Sequence, residues 1–250
     1  MKEVIAIVNR RGGVGKTATA HAIGAGLTLR GYKVLFIDLD SQCNLTFDLG
    51  ATTAPLTSME VLSGTATAKE AIQHAEGGDI IPASPSLAVA DTALEGTGKE
   101  HRLAEAIEPI KGNYDYIVID TPPALGVLTI NALTACNSAI IPAQAEVHSL
   151  QGIGLLYEAI QAVQKYTNPK LKIKGILITR YRGRAILSKD MKENLEATAQ
   201  QLKTKVFKTP IRECIAVAEA QASQKAIYSY APRSNATKDY TDLIEEILRG

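Results

Sequence analysis

The stretch VIAIVNRRGGVGKT, residues 4–17, decides the fold. Val4–Val8 is an unbroken apolar run of strand length, the pattern of a strand buried on both faces of a parallel sheet. Asn9–Thr17 follows at once and leads into a helical pattern over Lys16–Arg30, which Gly31 ends. A Gly-rich turn between a strand and a helix N-terminus gathers backbone N–H groups into a nest for anionic oxygens. Lys16 adds a point charge, and the Thr17 hydroxyl suits Mg²⁺. Gly12, Gly13, Val14, Gly15, Lys16, Thr17 and Ala18 are therefore the candidate phosphate contacts. The common form GxxxxGK[ST] asks for glycine at position 10, where this chain has Arg10. In its place stands the pair Gly12–Gly13 preceded by a cation, Arg11.

Outward from this loop, short apolar runs alternate with helical patterns, the rhythm of βαβ units around a parallel sheet. Strands are expected at Val4–Val8, Val34–Asp38, Asp79–Pro82, Tyr116–Asp120, Ser138–Ala143, Ile173–Thr179 and Lys205–Phe207. Helices are expected over Lys16–Arg30, Ser86–Leu94, Lys99–Ile110, Leu125–Ala135, Leu150–Tyr166, Ser188–Leu202, Glu213–Ala222 and Thr237–Leu248. Asn168–Pro169 stops the helix that reaches Tyr166. The expectation is an α/β fold: a doubly wound, mostly parallel sheet flanked by helices, forming one P-loop domain over residues 1–250. Gly50–Gly98, rich in Thr, Ala, Gly and Ser, is the least legible stretch.

Two further segments bring carboxylates to strand ends, where open parallel sheets place ligands. VLFIDLD puts Asp38 and Asp40 on one side of an extended segment, because side chains alternate with period two. YIVID ends in Asp120 and breaks at Pro122–Pro123. An acid ending a buried strand is costly to desolvate, and Mg²⁺ compensates it. Helix N-capping is the alternative for either residue alone.

Hydrophobic residues make up 46% and charged residues 21% of the chain, which excludes a disordered protein. No apolar run approaches the ~20 residues of a membrane span, and no signal core precedes the first strand, so a cytoplasmic protein is expected. Cys43, Cys136 and Cys214 form no CxxC pair, and His21, His74, His101 and His148 lack metal spacing. Residues 165–212 hold 13 Lys/Arg against 3 Asp/Glu, a local +10 on a chain whose net charge is +1. One positive face on an acidic body fits a polyanion binder, and a Lys-rich solvated surface fits equally well. With 5% aromatics and no Trp, single-strand binding by stacking is poorly supported.

GGVGKT, VLFIDLDSQCNLT, YIVIDTPPALGVLTINAL, IIPAQAE, GILITRY and AIYSYAPRS, in this order nearly end to end, resemble the ParA/MinD family of deviant Walker ATPases, most closely its ParA (Soj-like) DNA-partitioning branch. The resemblance implies a P-loop ATP hydrolase of weak basal activity with ATP and Mg²⁺ as cofactors. By it, Gly12, Gly13, Gly15, Lys16 and Thr17 bind phosphate and Mg²⁺. Asp40 positions the attacking water, Asp120 supports the metal through water, and Asp38 is a secondary polar support. Thr17, Asp40 and Asp120 are thus the residues around the metal, and adenine falls near Pro210–Arg212. The family closes a homodimer on ATP, each subunit giving a signature lysine to the other's phosphates; here that position is Arg11, which stays charged and binds phosphate as a fork. Ser41 and Cys43 replace the usual Pro and Gly of the second motif.

The function so implied is an ATP-switched homodimer that binds double-stranded DNA without sequence preference, with a ParB-like partner that stimulates hydrolysis and release. Arg180, Arg182, Arg184, Lys189, Lys192, Lys203, Lys208 and Arg212 are the candidate DNA contacts, on a nucleoid-associated protein. No helix-turn-helix segment precedes the first strand, so operator reading is not expected. A MinD-like membrane switch needs a basic amphipathic C-terminus, and TKDYTDLIEEILRG is acidic. An electron-transferring iron protein needs a cysteine pair in cluster surroundings, which Cys136 and Cys214 lack. A metabolic kinase with this loop is the remaining alternative.

Overall fold

The computed structural model describes residues 1–182 and 186–249, with the backbone alone for 147–151 and 186–192. Its seven strands are β1 (Glu3–Ile7), β2 (Val34–Asp38), β3 (Gln73–Ala75), β4 (Gly78–Ile81), β5 (Tyr116–Asp120), β6 (Ser138–Gln144) and β7 (Lys172–Thr179). They form one sheet in the order β3-β4-β2-β5-β1-β6-β7, parallel throughout except for the β3–β4 pair at one edge. Every residue of β2, β5 and β6 is buried, as their continuous apolar runs require.

Alternation along each strand divides the core between the two faces. Val4, Ala6 and Val8 join Leu35, Ile37, Ile117 and Ile119 on one face, under α6 (Arg102–Ile107), α7 (Val127–Ala135) and α8 (Val147–Tyr166). Ile5, Ile7, Phe36 and Val118 face the other way, under α1 (Lys16–Thr28) and α12 (Asn235–Arg249). On α12 the buried residues Ala236, Tyr240, Leu243, Ile244 and Ile247 recur at helical spacing, giving one apolar stripe toward α1. Two glycines let α1 lie between its neighbours: a Cβ on Gly24 would stand 2.1 Å from Phe36, and one on Gly26 would stand 2.2 Å from Ile244. Among the described residues, no helix is long and apolar enough to cross a membrane.

The expected strand at Lys205–Phe207 is reduced to a single bridge between Val206 and Ile176. Phe207 buries its ring beneath Gly175, and the next N–H groups, of Lys208 and Thr209, turn away from the sheet to the Glu246 carboxylate at 3.0 and 2.9 Å. The seventh strand is instead β3, a three-residue edge inside the illegible stretch. The expected helix at Ser86–Leu94 is a 3₁₀ turn over Pro85–Val89 followed by α5 (Ala90–Ala93), and the one at Lys99–Ile110 is α6 between two 3₁₀ turns, the second carrying Pro109 near its start. Four short helices are additional: α2 (Asn44–Asp48), α3 (Ser58–Ser63), α4 (Ala68–Ala71) and α11 (Ile227–Tyr230). The remaining helices are α9 (Ile186–Gln201) and α10 (Ile215–Ala222).

Candidate active site

The carboxyl ends of β1, β5 and β2 bring the three motifs together. Ile7 pairs with Asp120, and Asp120 pairs in turn with Asp38, so both acids stand side by side on adjacent strands directly beneath the loop after β1. The loop is held from outside by its carbonyls and by one side chain. Asn9 donates from Nδ2 to the Pro142 carbonyl at 2.6 Å, while its Oδ1 accepts the Arg11 N–H at 2.9 Å. Gln144 donates to the Gly13 carbonyl at 3.1 Å, and Thr179 to the Val14 carbonyl at 2.8 Å. With those carbonyls turned outward, the amides of the turn face the opposite side, the arrangement of an anion nest. Gly13 and Gly15 have φ of 72° and 84°, the left-handed region where a side chain is strained, and a Cβ on Gly12 or Gly13 would meet nothing within 4 Å. The cradle therefore has room for a phosphate chain.

Lys16, 6% exposed, reaches back with Nζ 3.1 Å from the Arg11 carbonyl. Burial pulls its pKa down, and the nearby Asp120 and Asp40 carboxylates oppose that pull. Thr17 donates its hydroxyl to Asp120 Oδ2 at 2.6 Å. Asp120 is fully buried, and its pKa is raised well above the carboxylate range by desolvation first and by the neighbouring Asp38 second. Lys16 offsets only part of this cost. Mg²⁺ keeps waters and nucleotide oxygens as most of its ligands and takes one or two protein oxygens beside them. The Thr17 hydroxyl beside Asp120 fits that role, with Asp40 close by.

Asp38 does a different job. Its carboxylate accepts the Asp40 N–H at 3.0 Å and both the N–H and the hydroxyl of Thr46 at 2.9 and 2.7 Å. Desolvation raises its pKa to about 6 despite these bonds. Asp38 thus fixes the two ends of the loop that carries Asp40, whose own Oδ1 accepts the Gln42 N–H at 3.0 Å. Thr46, which also accepts the Ala83 N–H at 2.8 Å, is a site residue that the sequence reading missed. Arg11 places Nη2 2.6 Å from Glu146, while its buried Nη1 has no hydrogen-bond partner among the described residues. An orphaned guanidinium donor at the lip of a phosphate cradle matches an anionic ligand.

Beside the cradle opens a cleft of about 380 Å³ walled by Gly13, Gly15, Ala18, Ile211, Cys214 and Ile215. Arg212 and Tyr240 also line it, whereas Pro210 does not. The backbone arrives there because Ile211 donates to the Ile178 carbonyl at 2.8 Å and Tyr181 to the Ile211 carbonyl at 2.9 Å, extending the end of β7.

The AAA domain family model matches residues 2–173. The sporulation initiation inhibitor protein Soj of Bacillus subtilis is 40% identical over 99% of this chain and 98% of its own length. The chromosome partitioning protein ParA of Caulobacter vibrioides is 35% identical, with 98% and 93% covered. The chain belongs to the ParA/MinD family of deviant Walker ATPases. A solved structure titled as cobyrinic acid a,c-diamide synthase from Mycobacterium smegmatis, with bound ADP and magnesium, superposes with a TM-score of 0.87 at 35% identity, covering 100% of this chain and 95% of that one. This member of the ParA/MinD family is an ATP hydrolase that uses ATP and Mg²⁺.

The described basic residues stand in three settings, with Arg180 and Arg212 on the wall of the cleft. Arg180 and Arg182, with side chains 58% and 74% exposed, share the carboxylate of Glu213, which Arg182 in particular holds below the usual pKa. Lys203 and Lys208 are exposed. Arg212 forms a fork on Asp239, with Nε 2.9 Å from Oδ2 and Nη2 2.6 Å from Oδ1, and its backbone N–H bonds the same carboxylate. That fork docks α12 on the cleft wall and occupies the guanidinium. Arg184 lies outside the described residues, as do the side chains of Lys189 and Lys192.

Proposed function

We propose that this ATPase is a ParA-like partition protein, built as one ATPase domain over residues 1–250. ATP closes two copies face to face, Arg11 of each reaching the phosphates held by the other. Asp40 orients the attacking water, and Asp120 supports Mg²⁺ through water next to Thr17. The closed dimer holds double-stranded DNA by its phosphates, and hydrolysis stimulated by a ParB-like partner releases it. The cargo is a plasmid, a chromosome or a mobile element, and the protein works in the cytoplasm on the nucleoid.

One observation carries the DNA part of this reading. Arg180 and Glu213 both line the nucleotide cleft, and Glu213 also binds Arg182. Two exposed cations therefore share one anion at the cleft wall, which supports a coupling between the bound nucleotide and a positive surface. The relatives named Soj and ParA support the partition role. A MinD-like membrane helix has less support, because the apolar residues of α12 are already buried against the body of the protein.

The test is retention on immobilised double-stranded DNA with ADP, ATP and a slowly hydrolysed ATP analogue. Retention is expected with ATP and the analogue, nearly equal for unrelated sequences and falling steeply with salt. Equal retention with all three nucleotides, or none with any, overturns the reading.

A further inference from the structure

A second cavity, of about 190 Å³, lies away from the nucleotide cleft, between α1, the end of α2, the turn joining β3 to β4 and the segment entering α11. Its floor is His21 and Asp48, which are 5% and 3% exposed. The two side chains stand 3.9 Å apart, too far for a hydrogen bond. His21 makes no hydrogen bond with a described residue, and Asp48 makes one, accepting from Gln221 on Oδ2 at 2.6 Å; its Oδ1 accepts none. Burial pushes the His21 pKa down to about 4 and the Asp48 pKa up to about 6. At neutral pH an ionised carboxylate therefore sits beside an uncharged imidazole. Leu29, Leu49, Ala25 and Tyr228 supply apolar wall, while the exposed Glu76 and Lys225 line the mouth. The charge facing the cavity floor is thus that of Asp48, next to a His21 ring that makes no hydrogen bond with a described residue, both open to what enters the cavity.

We propose that this cavity binds a small protonated alkylamine, its ammonium group on Asp48 Oδ1 and His21 and its chain against Leu29, Leu49 and Ala25. A buried carboxylate without a countercharge is costly, and a cation with three N–H donors satisfies both floor residues while the alkyl chain leaves water. Gln221, which holds the other oxygen of Asp48, also lines the nucleotide cleft, so the occupant would be felt there. The site is independent of the proposed DNA role.

The experiment titrates the full chain, loaded with ADP and Mg²⁺ to fill the nucleotide cleft, with butylammonium chloride. Backbone amide NMR shifts report the binding, with 1-butanol and sodium butyrate as neutral and anionic controls. Saturable shifts confined to residues around His21, Asp48 and Gln224 are expected, with both controls at least about tenfold weaker. Asp48→Asn is expected to weaken butylammonium by about tenfold or more, as loss of one buried charge partner does. Glu76→Lys, a change at the exposed mouth that leaves the core untouched, is expected to weaken it more at low salt than at high. Equal binding of butanol, unaltered binding by both variants, or no saturation overturns the proposal.

Discussion

At the scale of single residues, the site separates groups that hold phosphate from groups that hold the loop near it. Lys16 is the one side-chain cation buried in the cradle among the described residues. Lys16→Ala is expected to lower ATP turnover by at least about a hundredfold, read by phosphate release. Asp40→Ala is expected to keep ATP affinity within a few-fold by calorimetry while turnover falls below detection, because its proposed role is to orient water and not to contact phosphate. Loss of ATP binding in that variant would move Asp40 to the metal or to the scaffold. Thr46 gives a different signature. Its hydroxyl bonds Asp38 and Ala83 inside the core, so Thr46→Val leaves buried partners unpaired and is expected to cost about 2–3 kcal/mol in denaturant unfolding. Turnover should fall with it, since the Asp40 loop loses its far anchor.

At the scale of elements, DNA binding is a question about the edge beside β7. Arg182→Ala combined with Lys203→Ala is expected to weaken DNA retention by about tenfold and to lower the slope of log affinity against log salt by about two. Arg212 is a poor residue for that test: an acid there would face buried Asp239 and cost about 3–5 kcal/mol by undocking α12. From the sequence it reads as one more cation in a basic run, because its partner is 27 residues away and chain order says nothing of a fork across two elements. The central strands were legible because their apolar runs are buried over their whole length, and a long helix such as α12 because its buried residues recur at helical spacing. The stretch from Gly50 to Gly98 was not, since its helices are too short for periodicity to register. Two of them still carry a local sign: Thr57 with Glu60, and Thr67 with Glu70, are reciprocal capping boxes three residues apart. The edge β3 has neither signal, having three residues and a single partner strand. In the site, the loop and the strand-end acids were legible from residue type; the unbonded guanidinium nitrogen of Arg11 and the Asp38–Thr46 clamp depend on side-chain directions.

At the scale of the whole molecule, buried acids set the pH response of stability. Asp48 titrates near 6 in the folded chain against an ordinary 3.8, so its contribution to folding is complete below about pH 4 and is lost as pH rises through 6. His21 runs the other way, its contribution being present above about 6.5 and lost as pH falls through 4. Asp48→Asn is therefore expected to raise the unfolding midpoint at pH 7.5, by the equivalent of about 1–2 kcal/mol, and to give a clearly smaller gain at pH 4.5. A gain of the same size at both values would show that Asp48 carries no ionisation cost. The docking of α12 has a further consequence. The nucleotide cleft begins at Gly13 and is closed by Tyr240, whose hydroxyl stands 3.5 Å from that of Thr19. During synthesis α12 is still inside the ribosomal tunnel when β1 to β7 have emerged, so a nascent chain at that stage has its phosphate loop but an open wall and an uncovered α1. ATP affinity should therefore appear only once α12 has left the tunnel, and ribosomes stalled with α12 still inside it, roughly the last thirty residues of the chain made so far, should fail to retain nucleotide.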